Sequence, residues 1–182
     1  MRIAVLAWGS LVWQPRNRHG EIRLAGTWHD DGPLLPVEFA RISVDGRLTL
    51  ILVPGYPHRS PVLWAGSAFS DVTAARANLA ERETGAPIEE VHGVAAGGDV
   101  IGAPAGPVVA TVSQWLGCRS LDAAIWTGLG PGGRWEGGFG VDAAVDYVSG
   151  LTGEERRRAL EYVRRAPEQI DTPVRRALRH LC

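Results

Sequence analysis

Ile3-Ala4-Val5-Leu6-Ala7-Trp8-Gly9-Ser10-Leu11-Val12-Trp13-Gln14-Pro15 is the stretch on which the fold turns. Residues 2–8 are short, mostly apolar and closed by Gly9-Ser10, a pattern that predicts a central strand buried on both faces and ending in a sharp turn. The N-terminus is therefore expected inside the core. Glycine at this point lets the backbone approach a ligand closely, and successive amides in such a turn can form an anion-binding nest. A plain tight turn, with Trp8 and Trp13 as core packing, explains the same string.

Outward from this strand, residues 14–33 are rich in charge, Gly and Pro, and predict a wandering loop with at most one short strand near 21–25. Residues 34–42 and 47–53 flank Asp45-Gly46, a strong short-range hairpin signal, and Pro54-Gly55-Tyr56-Pro57 ends the second arm. Residues 62–69 predict a further strand, with Ser70 and Asp71 as N-cap candidates for a helix over 72–83 that Thr84-Gly85-Ala86-Pro87 stops. Strands are expected near 90–95 and over 108–112. Beyond Trp115 the chain reads as helical: a short helix over 120–126, a glycine-rich loop over 128–140, a helix over 141–149, one from a capping box at Thr152-Gly153-Glu154-Glu155 to about 165, and one starting at Thr172-Pro173. The sum is an α+β fold, a mixed β-barrel or sheet with flanking helices. Residues 1–114 form its body, and residues 115–182 a helical C-terminal extension packed on the same domain, covering it through Val145, Val148, Leu160 and Val163.

On a helical wheel started at Val72, Glu83 falls within roughly 20° of the centre of the apolar face shared with Leu79 and Ala75, while Glu81 lies roughly opposite. A carboxylate aimed at a core loses hydration, which raises its pKa and suits it to proton abstraction. Helix fraying at Glu83, or an arginine pairing it structurally, are the plainer alternatives. Glu38, between Val37 and Phe39, is expected on a solvated strand face and is the reserve candidate for a base. Arg41 could hold a substrate carboxylate or form a structural ion pair.

The 182 residues, 45% of them hydrophobic, suffice for one buried core, and the formal net charge of -1 offers no footprint for nucleic acid. All nineteen basic residues are arginine, which removes Schiff-base and phosphate-loop lysine chemistry. Cys118 and Cys182 are too few for a disulfide framework, and Cys118 is expected to be a small buried thiol even with His92 in the chain. The histidines lack metal-ligand spacing, so no metal is expected. The run 128–133 lacks a phosphate-loop lysine and predicts a loop or lid. Arg156, Arg157, Arg158, Arg164 and Arg165 are expected on a solvated helix face. No signal-type segment or apolar run of membrane-spanning length is present, so the expected setting is cytoplasmic, without a membrane or nucleic-acid partner, and the oligomeric state stays open.

Ala7-Trp8-Gly9-Ser10-Leu11-Val12-Trp13-Gln14-Pro15 resembles the Tyr-Gly-Ser-Leu-x-Trp-x-Pro signature of the gamma-glutamylcyclotransferase-like superfamily, closest to its ChaC-type, glutathione-specific branch. Arg41-Ile42-Ser43-Val44-Asp45-Gly46-Arg47 and Val53-Pro54-Gly55 are similar to the family's stretch after it, and Leu79-Ala80-Glu81-Arg82-Glu83 is similar to its Leu-x-x-Arg-Glu, whose last residue is the catalytic base. The resemblance covers residues 2–95, and Trp8 stands where the family has tyrosine, so that hydroxyl's bond to substrate is lost or replaced by the indole N–H. It implies a cofactor-free enzyme that cyclises a γ-glutamyl amine or peptide to 5-oxoproline. Glu83 would be the general acid/base, and Trp8, Gly9, Ser10, Leu11 and Arg41 would bind the small-molecule substrate. Alternatives are a non-catalytic ligand-binding module with the same cradle and a γ-glutamyl-amide hydrolase or transferase.

Overall fold

The computed structural model describes residues 1–181 except 84–86, 132–134 and 136–137. The helix stop at 84–86, Gly132 and Gly133 of the glycine-rich stretch, and Cys182 lie outside the described residues.

The apolar N-terminal run forms β1 (Ile3–Ala7), buried at every position. The one short strand expected near 21–25 in the loop over 14–33 lies a few residues further on, as the six-residue β2 (Leu24–His29). Pairing along its neighbour supplies the hydrogen bonds that fix its place, which local propensity does not. Then come β3 (Leu34–Leu35), β4 (Val37–Ile42), β5 (Leu48–Leu52), β6 (Ser60–Pro61) and β7 (Leu63–Ser67). The β4–β5 hairpin closes through Gly46, whose φ of 79° is the left-handed conformation a tight hairpin turn favours. Helix α1 (Val72–Arg82) opens on Asp71, whose side chain accepts from the Ala74 amide at 2.8 Å. Strands β8 (Val91–Ala95) and β9 (Val100–Ile101) follow.

Two elements differ in kind from expectation. Residues 108–112 belong to a helix, α2 (Gly106–Gly117), and residues 123–127 form a strand, β10 (Ala123–Thr127), where a helix was expected. In α2 the β-branched valines are outweighed by helical spacing: Val108, Val112 and Leu116 bury one stripe, and Pro107 lies in the first turn. In β10 a short apolar run is ambiguous between helix and strand until its neighbours are known, and here both faces are covered. The chain ends with α3 (Val141–Gly150), α4 (Gly153–Arg165) and α5 (Pro173–Leu178). Thr152 precedes α4 without the expected capping side-chain bond, whereas Thr172 caps α5 by accepting from the Arg175 amide.

The result is a mixed α+β protein. Six strands form one sheet in the order β2-β7-β1-β10-β8-β9, with β3–β6 and β4–β5 as separate two-stranded ribbons. Among the described residues the strands do not close into a barrel. β1 pairs antiparallel with β7 and parallel with β10, Ile3 opposite Ala123, so a strand from beyond residue 115 lies at the sheet's centre. The period-two alternation of β1 divides the core. Ile3, Val5 and Ala7 face a cluster with Ala75 and Leu79 of α1, while Ala4 and Leu6 face a larger one that the hairpin and α2 to α5 cover. Among the described residues, no helix is long and apolar enough to cross a membrane.

Candidate active site

Because β1 and β10 run in parallel, their C-terminal ends open on the same side, the place where strand ends of open sheets commonly offer a crevice. A cavity of about 740 Å³ lies there, within the usual range for small-molecule sites. Trp8, Gly9, Ser10 and Leu11 leave β1 into its wall, Thr127 and Leu129 leave β10, and Arg41 and Glu83 line it as well. All six residues singled out from sequence therefore meet at one cavity.

The turn is fixed by Val12 N–H donating to Gly9 O at 3.0 Å and Gln14 N–H to Ser10 O at 2.8 Å. Trp8 is buried, and its indole N–H donates to Leu50 O of β5 at 3.3 Å. That N–H is thus committed to the hairpin. A hydroxyl from another part of the chain lies beside the turn. A Cβ at Gly9 would lie 2.5 Å from the oxygen of Tyr162 on α4, so glycine is required for this close approach. Tyr162 is clasped edge-on by Trp13 at 5.2 Å and Phe39 at 6.3 Å, with the Arg47 guanidinium 5.6 Å from its ring centre. Burial, then the charge of Glu83, push its pKa up to about 12 against backbone hydrogen bonds from Ser10 and Leu50. The hydroxyl therefore stays protonated and lines the cavity beside the turn.

Glu83 is the C-cap of α1, with its amide donating to Leu79 O at 3.0 Å, so the helix ends one residue earlier than expected. The inward placement holds, with only 17% of the side chain exposed, and Glu81 is exposed. Arg82, itself buried, donates to Glu83 Oε1 at 2.6 Å and also to Gln14 O. Asn17 Nδ2 donates to Arg82 O at 2.7 Å, which ties the loop after the turn to the end of α1. Burial raises the Glu83 pKa above its ordinary 4.5, and the neighbouring Arg82 charge opposes the shift. Both features read from sequence are present together: an inward carboxylate and an arginine that pairs it.

Arg41 points one guanidinium nitrogen at Gly130 O, 2.6 Å away, anchoring the glycine-rich stretch to β4. Glu38 is fully buried, not on a solvated face, because β4 is covered by α5 on the side where water was expected. Its oxygens accept from Phe39 N at 2.8 Å and Val174 N at 3.3 Å, and it does not line the cavity. Cys118 is exposed at the end of α2, not buried. Sequence reasoning missed Tyr162 and the place of Arg158, which lines the cavity instead of only a solvated face. A signal existed for Tyr162, which lies between Leu160 and Val163 on the stripe of α4 expected to be buried.

Comparison with family models, curated proteins and solved structures found no match for this chain.

Proposed function

We propose that the protein is a gamma-glutamylcyclotransferase-like enzyme with the corresponding fold, converting a γ-glutamyl amine or peptide to 5-oxoproline and a free amine. The observation that supports this most is that the Glu83 carboxylate and the Trp8–Leu11 turn line one cavity. The substrate's α-amine attacks its own γ-carbonyl carbon, and a C–N bond forms as the five-membered ring closes. Glu83 takes the proton from the attacking nitrogen. The tetrahedral oxyanion needs donors, and the Tyr162 hydroxyl beside the turn is suited to be one of them. When the bond to the leaving amine breaks, Glu83 returns the proton to it. Atoms balance without water, and positioning supplies much of the rate, as expected for an intramolecular reaction.

The raised Glu83 pKa favours this reading, because a base works best when its pKa approaches the operating pH. The Arg82–Glu83 pair at 2.6 Å favours a second reading, a binding module in which the carboxylate only holds the ligand's ammonium. Incubation with γ-glutamyl amines and peptides, glutathione included, separates them. The enzyme yields 5-oxoproline, a hydrolase yields glutamate, and a binder yields neither while still showing saturable binding. Turnover that survives Glu83→Gln undiminished would remove Glu83 from the mechanism.

A further inference from the structure

Among the described residues, five arginines line the cavity, Arg18, Arg41, Arg47, Arg82 and Arg158, against two carboxylates, Asp45 and Glu83. The carboxylates are already matched, Asp45 by Arg47 at 2.8 Å and Glu83 by Arg82 at 2.6 Å. Three guanidiniums remain. Arg18 Nε donates to His19 Nε2 at 2.9 Å, and Arg41 Nη1 donates to the neutral Gly130 carbonyl at 2.6 Å. Arg158 Nε approaches Glu154 Oε1 only to 3.8 Å, and that carboxylate already accepts from Arg157 at 2.5 and 2.9 Å. Arg158 Nε is also buried without a hydrogen-bond partner among the described residues. These three charges come from separate parts of the chain, the loop after β1, strand β4 and helix α4, and they converge on one space. Arg18 is exposed and Arg41 and Arg158 are half-buried, and an anionic occupant of this space is attracted by all three.

We infer that the cavity is built for a γ-glutamyl compound whose leaving amine is itself a dicarboxylate, such as an amino-dicarboxylic acid. This rests on the cyclisation reading above. One guanidinium matches the α-carboxylate of the glutamyl group undergoing ring closure, and the other two match the two carboxylates of the leaving group. Arg41 on β4 and Arg158 on α4 are the main residues that select it.

The test compares γ-glutamylglutamate with γ-glutamylglutamine, which are equal in size and differ by one carboxylate. A charge-assisted hydrogen bond at this rim predicts kcat/KM higher by about tenfold for γ-glutamylglutamate. Raising salt to roughly 0.5 M shrinks that preference, because the partly exposed arginines are screened. Arg158→Gln brings the ratio toward one, and Arg158→Lys retains part of it. Equal kcat/KM for the two compounds, or a preference insensitive to salt, overturns the dicarboxylate assignment while leaving cyclisation standing. Formation of 5-oxoproline from neither compound overturns the cyclisation reading instead. Calorimetric affinities of the same pair then decide the subsite: about tenfold tighter binding of γ-glutamylglutamate supports it, and equal binding, absent binding or inorganic phosphate competing as well as the dicarboxylate refutes it.

Discussion

Glu38 and Glu83 are both carboxylates that burial pushes above their ordinary pKa of 4.5, yet their surroundings differ. Glu38 is enclosed between β4 and α5, and its oxygens are taken by the Phe39 and Val174 amides and the Thr172 side chain, with Tyr56 also hydrogen-bonded to it. It fastens the last helix to the hairpin. Glu83 ends α1 at the wall of a cavity and is held by the adjacent Arg82. A raised pKa therefore marks burial alone. Access to a space that a substrate can fill is what distinguishes a base from a buried fastening.

The largest effect that would sharpen this contrast is on rate. Glu83→Gln should lower 5-oxoproline formation by about 10²- to 10⁴-fold while leaving the thermal unfolding midpoint nearly unchanged. An equal loss of rate in a folded Glu38→Gln protein would break the contrast. Next in size, Tyr162→Phe removes one donor near the oxyanion and should reduce kcat by about 10²-fold, with a smaller change in KM. A pure packing role would instead appear as lost stability with kcat intact.

Stability should respond in the other place. Glu38→Ala leaves the buried Phe39 and Val174 amides without their acceptor, at a cost of about 2 kcal/mol in urea denaturation. A smaller effect is the pH dependence. Folding raises both carboxylate pKa values, so the native state binds more protons than the unfolded chain between 4.5 and the raised values. Their contribution to stability is consequently fully present below that window and is lost as pH rises through it, and Glu38→Gln should flatten the slope. Activity should run oppositely: on the proposed mechanism Glu83 is ionised to act, so kcat/KM should fall on the acid side at a pH above 4.5.

Local patterns revealed the parts of the molecule that local physics decides. The unbroken apolar run of β1, Asp45-Gly46 at the hairpin, Asp71 at the start of α1 and the inward angle of Glu83 are each dictated by a few adjacent residues. Where partners far along the chain decide, the patterns failed. Residues 123–127 become a strand because β1 and β8 lie on either side of them, and the short strand expected near 21–25 lies at 24–29 because β7 offers its edge there. Glu38 is buried because α5, more than 130 positions away, closes over it. At the site, the turn and Glu83 were legible as a signature, but the hydroxyl at Gly9 was not, because nothing near residue 162 indicates that it approaches residue 9.

The pairing of Ile3 with Ala123 and the approach of Tyr162 to Gly9 also set an order of events during synthesis. Strand β1 is made well before β10, so one of its edges finds its native partner only after residue 127 has been made, and the site beside it is complete only once α4 has emerged. Until β10 is made a wholly apolar strand has an open edge, the kind of segment prone to aggregate in a nascent chain. Slow translation of the residues between β7 and β10 should prolong that exposure and lower the yield of folded protein without altering a single residue.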